Sequence, residues 1–201
     1  MLKFRAGSLL SESWLFFQKF MRDPRKMGSI LPSSSSLTRS MLKRIRWEQA
    51  HVVIELGAGT GVFTRAIDEL RRPDCEFLVF EQEEELRERL AERLQGSGIR
   101  FAADALELGR ELRQTGWGRA DTIVSGLPFA NFAPEIRMSL IDQIKGALRE
   151  EGVFVTFQYS LQMKKLLIEQ FDEVSIAYVP FNVPPAFVYI CRMRTEQQIQ
   201  R

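Results

Sequence analysis

The sequence has very few of the residues that build metal centres, disulfide frameworks or histidine-dependent active sites. Its 201 residues include one histidine, His51, and two cysteines, Cys75 and Cys191, which lie far apart in the chain. A single histidine argues against a histidine-ligated metal site and against a Ser-His-Asp triad. Two separated cysteines exclude a disulfide scaffold and a zinc ribbon, and they suit a reducing compartment. We therefore predict a functional site without a metal ion.

Long hydrophobic runs are missing as well. No stretch of 18 apolar residues occurs, so the sequence predicts no transmembrane helix. Charged residues interrupt the N-terminal apolar segment Leu9–Met21, and no small-residue cleavage site follows it, unlike in a secretory signal peptide. With 45% apolar residues the chain is long enough to bury a core. We expect a cytoplasmic protein of one domain with an N-terminal extension.

Charge is divided unevenly along the chain. The net charge is +2 overall, but residues 1–46 carry +8 and residues 47–201 carry −6. This division predicts an N-terminal extension over residues 1–46 and a mildly acidic body over residues 47–201. A basic segment of this kind favours an anionic partner, which is a membrane surface, nucleic acid or the body itself.

The N-terminal extension contains two helical patterns. A helix from Leu9 to Met21 places one apolar stripe on one side, formed by Leu10, Trp14, Phe17 and Met21. A second helix is predicted from about Ser34 to Ile45. An apolar arc followed by basic residues, here Arg22, Arg25 and Lys26, is typical of a helix that lies in a membrane interface. The alternative is that the arc packs on the body as a lid.

Short β-rich runs alternate with helical patterns in the rest of the chain. The predicted strands are His51–Leu56, Glu76–Phe80, Ile99–Ala102, Asp121–Val124, Gly152–Phe157, Glu173–Tyr178 and Ala186–Cys191. The predicted helices are Val62–Arg71, Glu83–Leu94, Leu106–Arg113, Pro134–Leu148 and Ser160–Glu169. This alternation predicts βαβ units and a mostly parallel sheet. Only a turn-rich segment, Pro180–Pro185, separates the last two strands, which indicates an antiparallel C-terminal hairpin.

The strongest local motif is Glu55-Leu56-Gly57-Ala58-Gly59-Thr60-Gly61, which lies between the first strand and the first helix of the body. Glycines there permit a tight turn and let the backbone approach a ligand. A carboxylate beside the loop would repel a phosphate, whereas Glu55 can accept hydrogen bonds from the ammonium group of an amino acid. We assign Glu55, Gly57, Ala58, Gly59 and Gly61 to cofactor binding.

Acidic residues follow the next two strands. Glu81 ends the second strand, twenty residues after Gly61, where a carboxylate can accept both hydroxyls of a ribose. Gln82 is placed to reach an adenine edge. Asp104, followed by Ala105, ends the third strand and either accepts from the adenine amino group or serves as a helix N-cap. These residues complete the predicted nucleoside site.

With these landmarks, residues 50–192 resemble the class I S-adenosylmethionine-dependent methyltransferases. The resemblance implies their Rossmann-like α/β fold, with a seven-stranded, mostly parallel sheet and an antiparallel C-terminal hairpin. It also implies S-adenosylmethionine as the cofactor, lying across the strand ends.

The loop after the fourth strand is a candidate for substrate binding. Its sequence, Ser125-Gly126-Leu127-Pro128-Phe129, looks like the Asn-Leu-Pro-Tyr motif of the ribosomal RNA adenine dimethylases, with Gly126 at the position of the Asn. The missing amide argues against adenine methylation. What remains is a loop that offers backbone carbonyls and the aromatic face of Phe129 to an amine.

A second resemblance covers nearly the whole chain. Residues 20–37 resemble the N-terminus of soluble-type bacterial phospholipid N-methyltransferases, and three further segments do so too: Ser125–Pro128, Phe157–Tyr159 and Asn182–Ala186. The resemblance implies methyl transfer to the amine of phosphatidylethanolamine or a related aminolipid, at the inner face of the cell membrane. It also implies that an N-terminal amphipathic helix docks on anionic membrane.

These resemblances complete the set of candidate residues. Tyr159, Ser125 and Gly126 are the candidates for contact with the reacting amine, and we assign no general base. Substrate binding is assigned to Leu127, Pro128, Phe129 and Asn182. Residues 33–36, a run of serines, either cap the following helix or line the cofactor pocket, and for that lining we name Gly28, Ser29 and Ser33. Two other functions stay open, namely an RNA methyltransferase and a non-enzymatic lipid- or cofactor-binding protein. The sequence predicts no oligomeric state.

Overall fold

The computed structural model describes the backbone of residues 31–193 and the side chains of residues 35–193. Seven strands form one sheet: β1 (Val52–Leu56), β2 (Glu76–Phe80), β3 (Ile99–Ala102), β4 (Ala120–Ser125), β5 (Leu148–Gln158), β6 (Glu173–Val179) and β7 (Ala186–Arg192). Six helices accompany them: α1 (Leu31–Leu42), α2 (Val62–Leu70), α3 (Glu84–Arg93), α4 (Leu108–Thr115), α5 (Pro134–Ala147) and α6 (Lys164–Gln170). Each predicted strand and helix within the described residues is present.

The sheet has the strand order β3-β2-β1-β4-β5-β7-β6. Strands β1 to β5 are parallel, and β7 runs antiparallel to both β5 and β6. Central strands are buried on both faces and are mostly apolar, and β1 has all five residues buried, of which only Glu55 is not apolar. The predicted fold class, a Rossmann-like methyltransferase sheet with an antiparallel hairpin, is therefore confirmed.

The observed element boundaries differ most from the predicted ones at the starts of β5 and α6. Strand β5 begins at Leu148 rather than at Gly152, because a register shift between Ala120 and Thr122 of β4 accommodates extra residues. Helix α6 begins at Lys164 rather than at Ser160, since the preceding residues form a turn.

Helices cover both faces of the sheet. Buried side chains of α1, α2 and α3, including Leu37, Ile67 and Leu90, form one core with Val53 of β1. Helices α4, α5 and α6 form the other core with side chains such as Leu112 and Ile144. Because α1 belongs to the first core, the C-terminal part of the predicted extension packs on the body.

The strand order creates the crevice in which the site lies. From β1 the chain moves outward to β2 and β3 and then returns to β4 on the other side of β1, and the helices that follow β1 and β4 lie on opposite faces of the sheet. Ligands in open α/β sheets bind at such a reversal, at the carboxyl ends of the strands. The antiparallel pairing brings the β6–β7 turn, residues 180–185, to this same edge.

Several predictions concern residues outside the described range. The helix over Leu9–Met21, its basic flank and the cofactor candidates Gly28 and Ser29 lie there, and for Ser33 only the backbone is described. None of the helices within residues 31–193 combines the length and the apolar composition needed to cross a bilayer.

Candidate active site

The glycine loop after β1 adopts a conformation that only glycine takes without strain. Gly57, Gly59 and Gly61 have positive φ angles of 78°, 56° and 80°. The amides of Gly57 and Ala58 both donate to the Phe80 carbonyl, at 2.8 and 3.1 Å, which ties the loop to β2. A side chain at Gly61 would collide with Leu90, whereas a Cβ at Gly59 would meet no atom within 4 Å. Gly59 therefore faces open space that a ligand can occupy.

Glu81 braces this loop from the end of β2. Its Oε2 accepts a hydrogen bond from the Gly59 amide at 2.6 Å, and its Oε1 accepts one from the Glu83 amide at 2.8 Å. The side chain is fully buried. A carboxylate oxygen can accept more than one hydrogen bond, and the predicted ribose contact of Glu81 stays a prediction.

A narrow slot of about 30 Å³ lies beside the loop. Its walls include the predicted residues Gly57, Gln82, Asp104, Ala105 and Leu127, together with Phe80, Leu106 and Phe132, which the sequence analysis had not selected. Oδ1 of Asp104 accepts from the Leu106 amide at 2.9 Å, so Asp104 does cap the short 3₁₀ helix Ala105–Glu107. The structure thus places Asp104 as both cap and slot residue.

Glu55 lies beneath the glycine loop, completely buried. Burial raises the pKa of its carboxyl to about 8, while Thr64 lowers it by less and the nearby Glu81 raises it further. Both carboxyl oxygens and the hydroxyl of Thr64 are buried, and none of the three has a hydrogen-bond partner among the described residues. Protein atoms cover both carboxyl oxygens of Glu55. Glu55 therefore does not present them to the ammonium group of a ligand, as had been predicted.

A second cavity of about 260 Å³ lies between the loop after β4 and the end of β5. The predicted residues Gly126, Leu127, Pro128 and Tyr159 line it. Leu127 lines the slot as well, so the two cavities lie on either side of one residue. This adjacency is what a transfer reaction between two bound molecules requires.

Two side chains without a predicted role in the site form hydrogen bonds that hold the loop after β4. Gln158 donates to the Leu127 carbonyl at 3.0 Å and accepts from the Ala130 amide at 3.3 Å. Arg137 of α5 donates to the carbonyls of Phe129, Ala130 and Phe132. Gln158 belongs to the segment Phe157–Tyr159, which is part of the family resemblance. No local sequence pattern indicates the role of Arg137, because that role depends on where α5 packs.

The structure also corrects the predicted roles of Phe129 and Ser125. Phe129 is fully buried, with its ring packed edge-on against Phe132 and Phe154, so its face is not offered to an amine. Ser125 is also fully buried, and its hydroxyl accepts from the Leu127 amide at 3.1 Å. Both residues shape the loop rather than touch a ligand, because the loop folds back over them.

Gly126 has a steric role in addition to its predicted place beside the substrate. Its amide donates to the Leu56 carbonyl at 2.9 Å, and a Cβ at this position would lie 2.8 Å from the Gly57 carbonyl oxygen. An asparagine here would thus meet the glycine loop before it entered the cavity. The carbonyls of Leu127, Pro128, Phe129 and Ala130 have donors, whereas that of Gly126 accepts no hydrogen bond from any described residue.

Tyr159 and Asn182 meet at the outer side of the second cavity. Burial raises the pKa of the Tyr159 phenol to about 12, and its hydrogen bond with Asn182 lowers it by less. The phenol is therefore neutral at physiological pH. The Asn182 side chain is buried and donates to the Pro184 carbonyl at 2.7 Å, so Asn182 positions Tyr159 and the β6–β7 turn instead of lining the cavity.

Comparison with known proteins identifies a close relative in sequence. The chain is 36% identical over 191 residues to the ornithine lipid N-methyltransferase of Singulisphaera acidiphila, and the match covers 91% of this chain and 97% of that protein. No protein-family model matches the chain.

Solved structures share the fold at much lower identity. The 1,6-didemethyltoxoflavin-N1-methyltransferase of Burkholderia thailandensis, bound to S-adenosylhomocysteine, matches with a TM-score of 0.67 and 18% identity, over 97% of this chain and 92% of that one. The O-methyltransferase TomG of Streptomyces achromogenes, in complex with S-adenosylmethionine, has a TM-score of 0.63 and 17% identity, over 92% and 89% of the two chains.

The close contact at Gly126 predicts the effect of adding one methyl group. We expect Gly126→Ala to displace the glycine loop and to lower the affinity for S-adenosylhomocysteine about tenfold or more, because the Gly57 carbonyl belongs to rigid backbone. Gly146 of α5 is the matched control, since a Cβ there meets no atom within 4 Å and alanine favours a helix. Calorimetry that finds equal affinity in both variants would contradict the steric role.

The buried Glu55 predicts a pH dependence of stability. The pKa of its carboxyl is about 8 in the folded protein, against 4.5 for an ordinary glutamate, so between these pH values the folded state holds a proton that the unfolded state has released. The free energy of unfolding therefore falls as the pH rises from about 4.5 to 8, by an amount on the order of a few kcal/mol. In Glu55→Gln this contribution is absent. Urea unfolding across the pH range measures it, and parallel curves for the two proteins would refute it.

Proposed function

Because this chain belongs to the lipid N-methyltransferases among the class I S-adenosylmethionine-dependent methyltransferases, we propose that it methylates the primary amine of an aminolipid at a membrane surface. The enzyme class and the cofactor are those of the family. The observation that carries the proposal is the 36% identity, over nearly the whole of both chains, with an enzyme named for an amine-bearing lipid.

The residues around the slot fit S-adenosylmethionine, which supplies a methyl group on a positively charged sulfur. The open space over Gly59 would accept its amino-acid part. Glu81 would hold the ribose hydroxyls from the end of β2. Gln82, Asp104 and Ala105, beside this mostly apolar slot, would contact the adenine.

The second cavity suits a neutral amine. Among the described residues, its lining contains no carboxyl or imidazole group, and the Tyr159 phenol is neutral because burial raises its pKa to about 12. The unpaired Gly126 carbonyl would accept a hydrogen bond from the amine N–H and would aim the nitrogen lone pair away from itself. The site thus aligns and desolvates the nucleophile, while the proton of an alkylammonium, with a pKa of roughly 10, passes to water before attack.

Two substrates carry the amine that this cavity fits. Phosphatidylethanolamine, implied by the sequence resemblance, and ornithine lipid, the substrate in the relative's name, both present a primary aliphatic amine on a lipid. The charge of +8 on residues 1–46 supports docking on an anionic leaflet, with each basic residue near the surface contributing about 1 kcal/mol. Residues 1–46 would then hold the protein on the inner face of the cell membrane.

Removal of the Glu81 carboxyl tests the assignment of the cofactor site. We expect Glu81→Ala to weaken S-adenosylmethionine binding by about 1–3 kcal/mol, because the variant loses the brace on Gly59 and the acceptor for the ribose hydroxyls. Glu81→Gln keeps one acceptor oxygen and loses less. The control is Glu88→Ala, an exposed acidic residue of α3. Isothermal calorimetry with an unchanged affinity in Glu81→Ala would reject the assignment.

Transfer of labelled methyl groups tests the function itself. Purified protein is incubated with labelled S-adenosylmethionine and one of three acceptors: phosphatidylethanolamine in micelles, ornithine lipid in micelles, or ribosomal RNA. We expect label in one or both lipids and a rate that rises with pH below the pKa of the amine. Label in RNA alone would support the RNA methyltransferase instead. Cofactor binding without transfer to any acceptor would support a binding protein.

A further inference from the structure

The turn between β6 and β7 presents two large apolar side chains to solvent. Phe181 is 79% exposed and Val183 is 69% exposed, the highest values among the large hydrophobic residues whose side chains the structure describes. Isolated apolar side chains are common on protein surfaces, but neighbouring ones mark a contact surface. The exposure of both residues within one short turn therefore needs an explanation.

This turn lies beside the second cavity. Phe187 of β7 pairs with Gln158 of β5, which lines the cavity, and Val179 pairs with Ala186, so the turn projects from the same edge of the sheet. Asn182 stands between the two exposed residues, and its buried amide is held by the Pro184 carbonyl and by Tyr159. Because Asn182 is fixed inward, Phe181 and Val183 are held outward.

Two further exposed apolar side chains lie near the same edge of the sheet. Tyr178 is exposed and its ring lies 5.2 Å from that of Phe187, while Leu161 is exposed just after β5, next to cavity residues Ser160 and Gln162. We call Leu161, Tyr178, Phe181 and Val183 the apolar rim.

Basic residues adjoin the apolar rim. Lys164 and Lys165 are exposed in the first turn of α6, three and four residues after Leu161. Of the two, Lys165 lies 3.8 Å from Glu169, a loose and exposed ion pair. Apolar side chains flanked by lysines are typical of surfaces that enter the interface of a bilayer, where the lysines reach lipid phosphates.

We propose that the apolar rim inserts into the interfacial layer of the bilayer that carries the substrate, and so places the cavity over the lipid headgroup. The inference rests on the proposed function, since a lipid amine stays at the membrane surface and the site must come to it. It assigns this contact to the body of the protein, separately from residues 1–46. A membrane is the occupant that accounts for an apolar surface, adjacent lysines and a lipid-binding cavity at one edge.

The test compares two variants with the wild-type protein. In the first, Phe181→Ser and Val183→Ser are combined, which removes the apolar groups and leaves Asn182 in place. The matched control is Leu70→Ser, because Leu70 is 47% exposed but ends α2 at the opposite edge of the sheet. Each protein is assayed for co-sedimentation with vesicles of phosphatidylglycerol and phosphatidylethanolamine. Methyl transfer is measured on phosphatidylethanolamine and on ornithine lipid, each in such vesicles and in detergent micelles.

We expect the double variant to lose about tenfold in vesicle binding and in methyl transfer on vesicles, and to stay within about twofold of wild type in micelles. Leu70→Ser should match wild type throughout. Wild-type activity of the double variant on vesicles would overturn the proposal, as would an equal loss in micelles. A double variant that binds vesicles normally but no longer self-associates would assign the rim to a second copy and would also overturn it.

The two proposals fail in different ways. Wild-type protein that methylates neither lipid in micelles refutes the proposed function. In that case the co-sedimentation of wild type against the double variant still decides whether the rim binds a membrane.

Discussion

The candidate site depends on a close approach of two backbone segments. Strands β1 and β4 pair in parallel with Leu56 opposite Ser125, so the next residues, Gly57 and Gly126, leave the sheet side by side. The Gly126 amide donates to the Leu56 carbonyl, and the Gly57 carbonyl occupies the space where a side chain at Gly126 would start. Because Gly126 has no Cβ, the loops after β1 and β4 can lie in direct contact. Together they form the base of the site, which we call the floor. The slot and the second cavity lie on this floor, separated by Leu127.

Polar groups beneath the floor are used to hold the loops rather than to perform chemistry. Glu81 braces the glycine loop through the Gly59 amide, and Gln158 and Arg137 satisfy the carbonyls of the loop after β4. The Gly126 carbonyl, in the wall of the second cavity, accepts no hydrogen bond from the described residues. Direct displacement on a sulfonium methyl group needs alignment more than proton transfer, so a rigid site without a base is consistent with the reaction.

The edge of the sheet that opens the site has an unusual surface for a protein body. The apolar rim lies there because β7 turns back along β5 and carries the β6–β7 turn to the carboxyl ends of the parallel strands. A small-molecule enzyme gains nothing from exposed Phe and Val side chains around its cavity. For an enzyme whose acceptor is anchored in a bilayer, the same surface shortens the path from the membrane to the site.

The sequence by itself determined the order of strands and helices, the glycine loop and the acids that follow β2 and β3, because apolar periodicity and glycine turns act over a few neighbouring residues. Strands β2 and β3 have the predicted bounds. Only the tertiary structure decided that Phe129 and Ser125 are buried, that Glu55 is covered, that Asn182 faces Tyr159, and that Arg137 and Gln158 hold the loop. Each of these outcomes depends on which distant segment lies opposite, and that follows from strand register and helix packing, which no local pattern specifies.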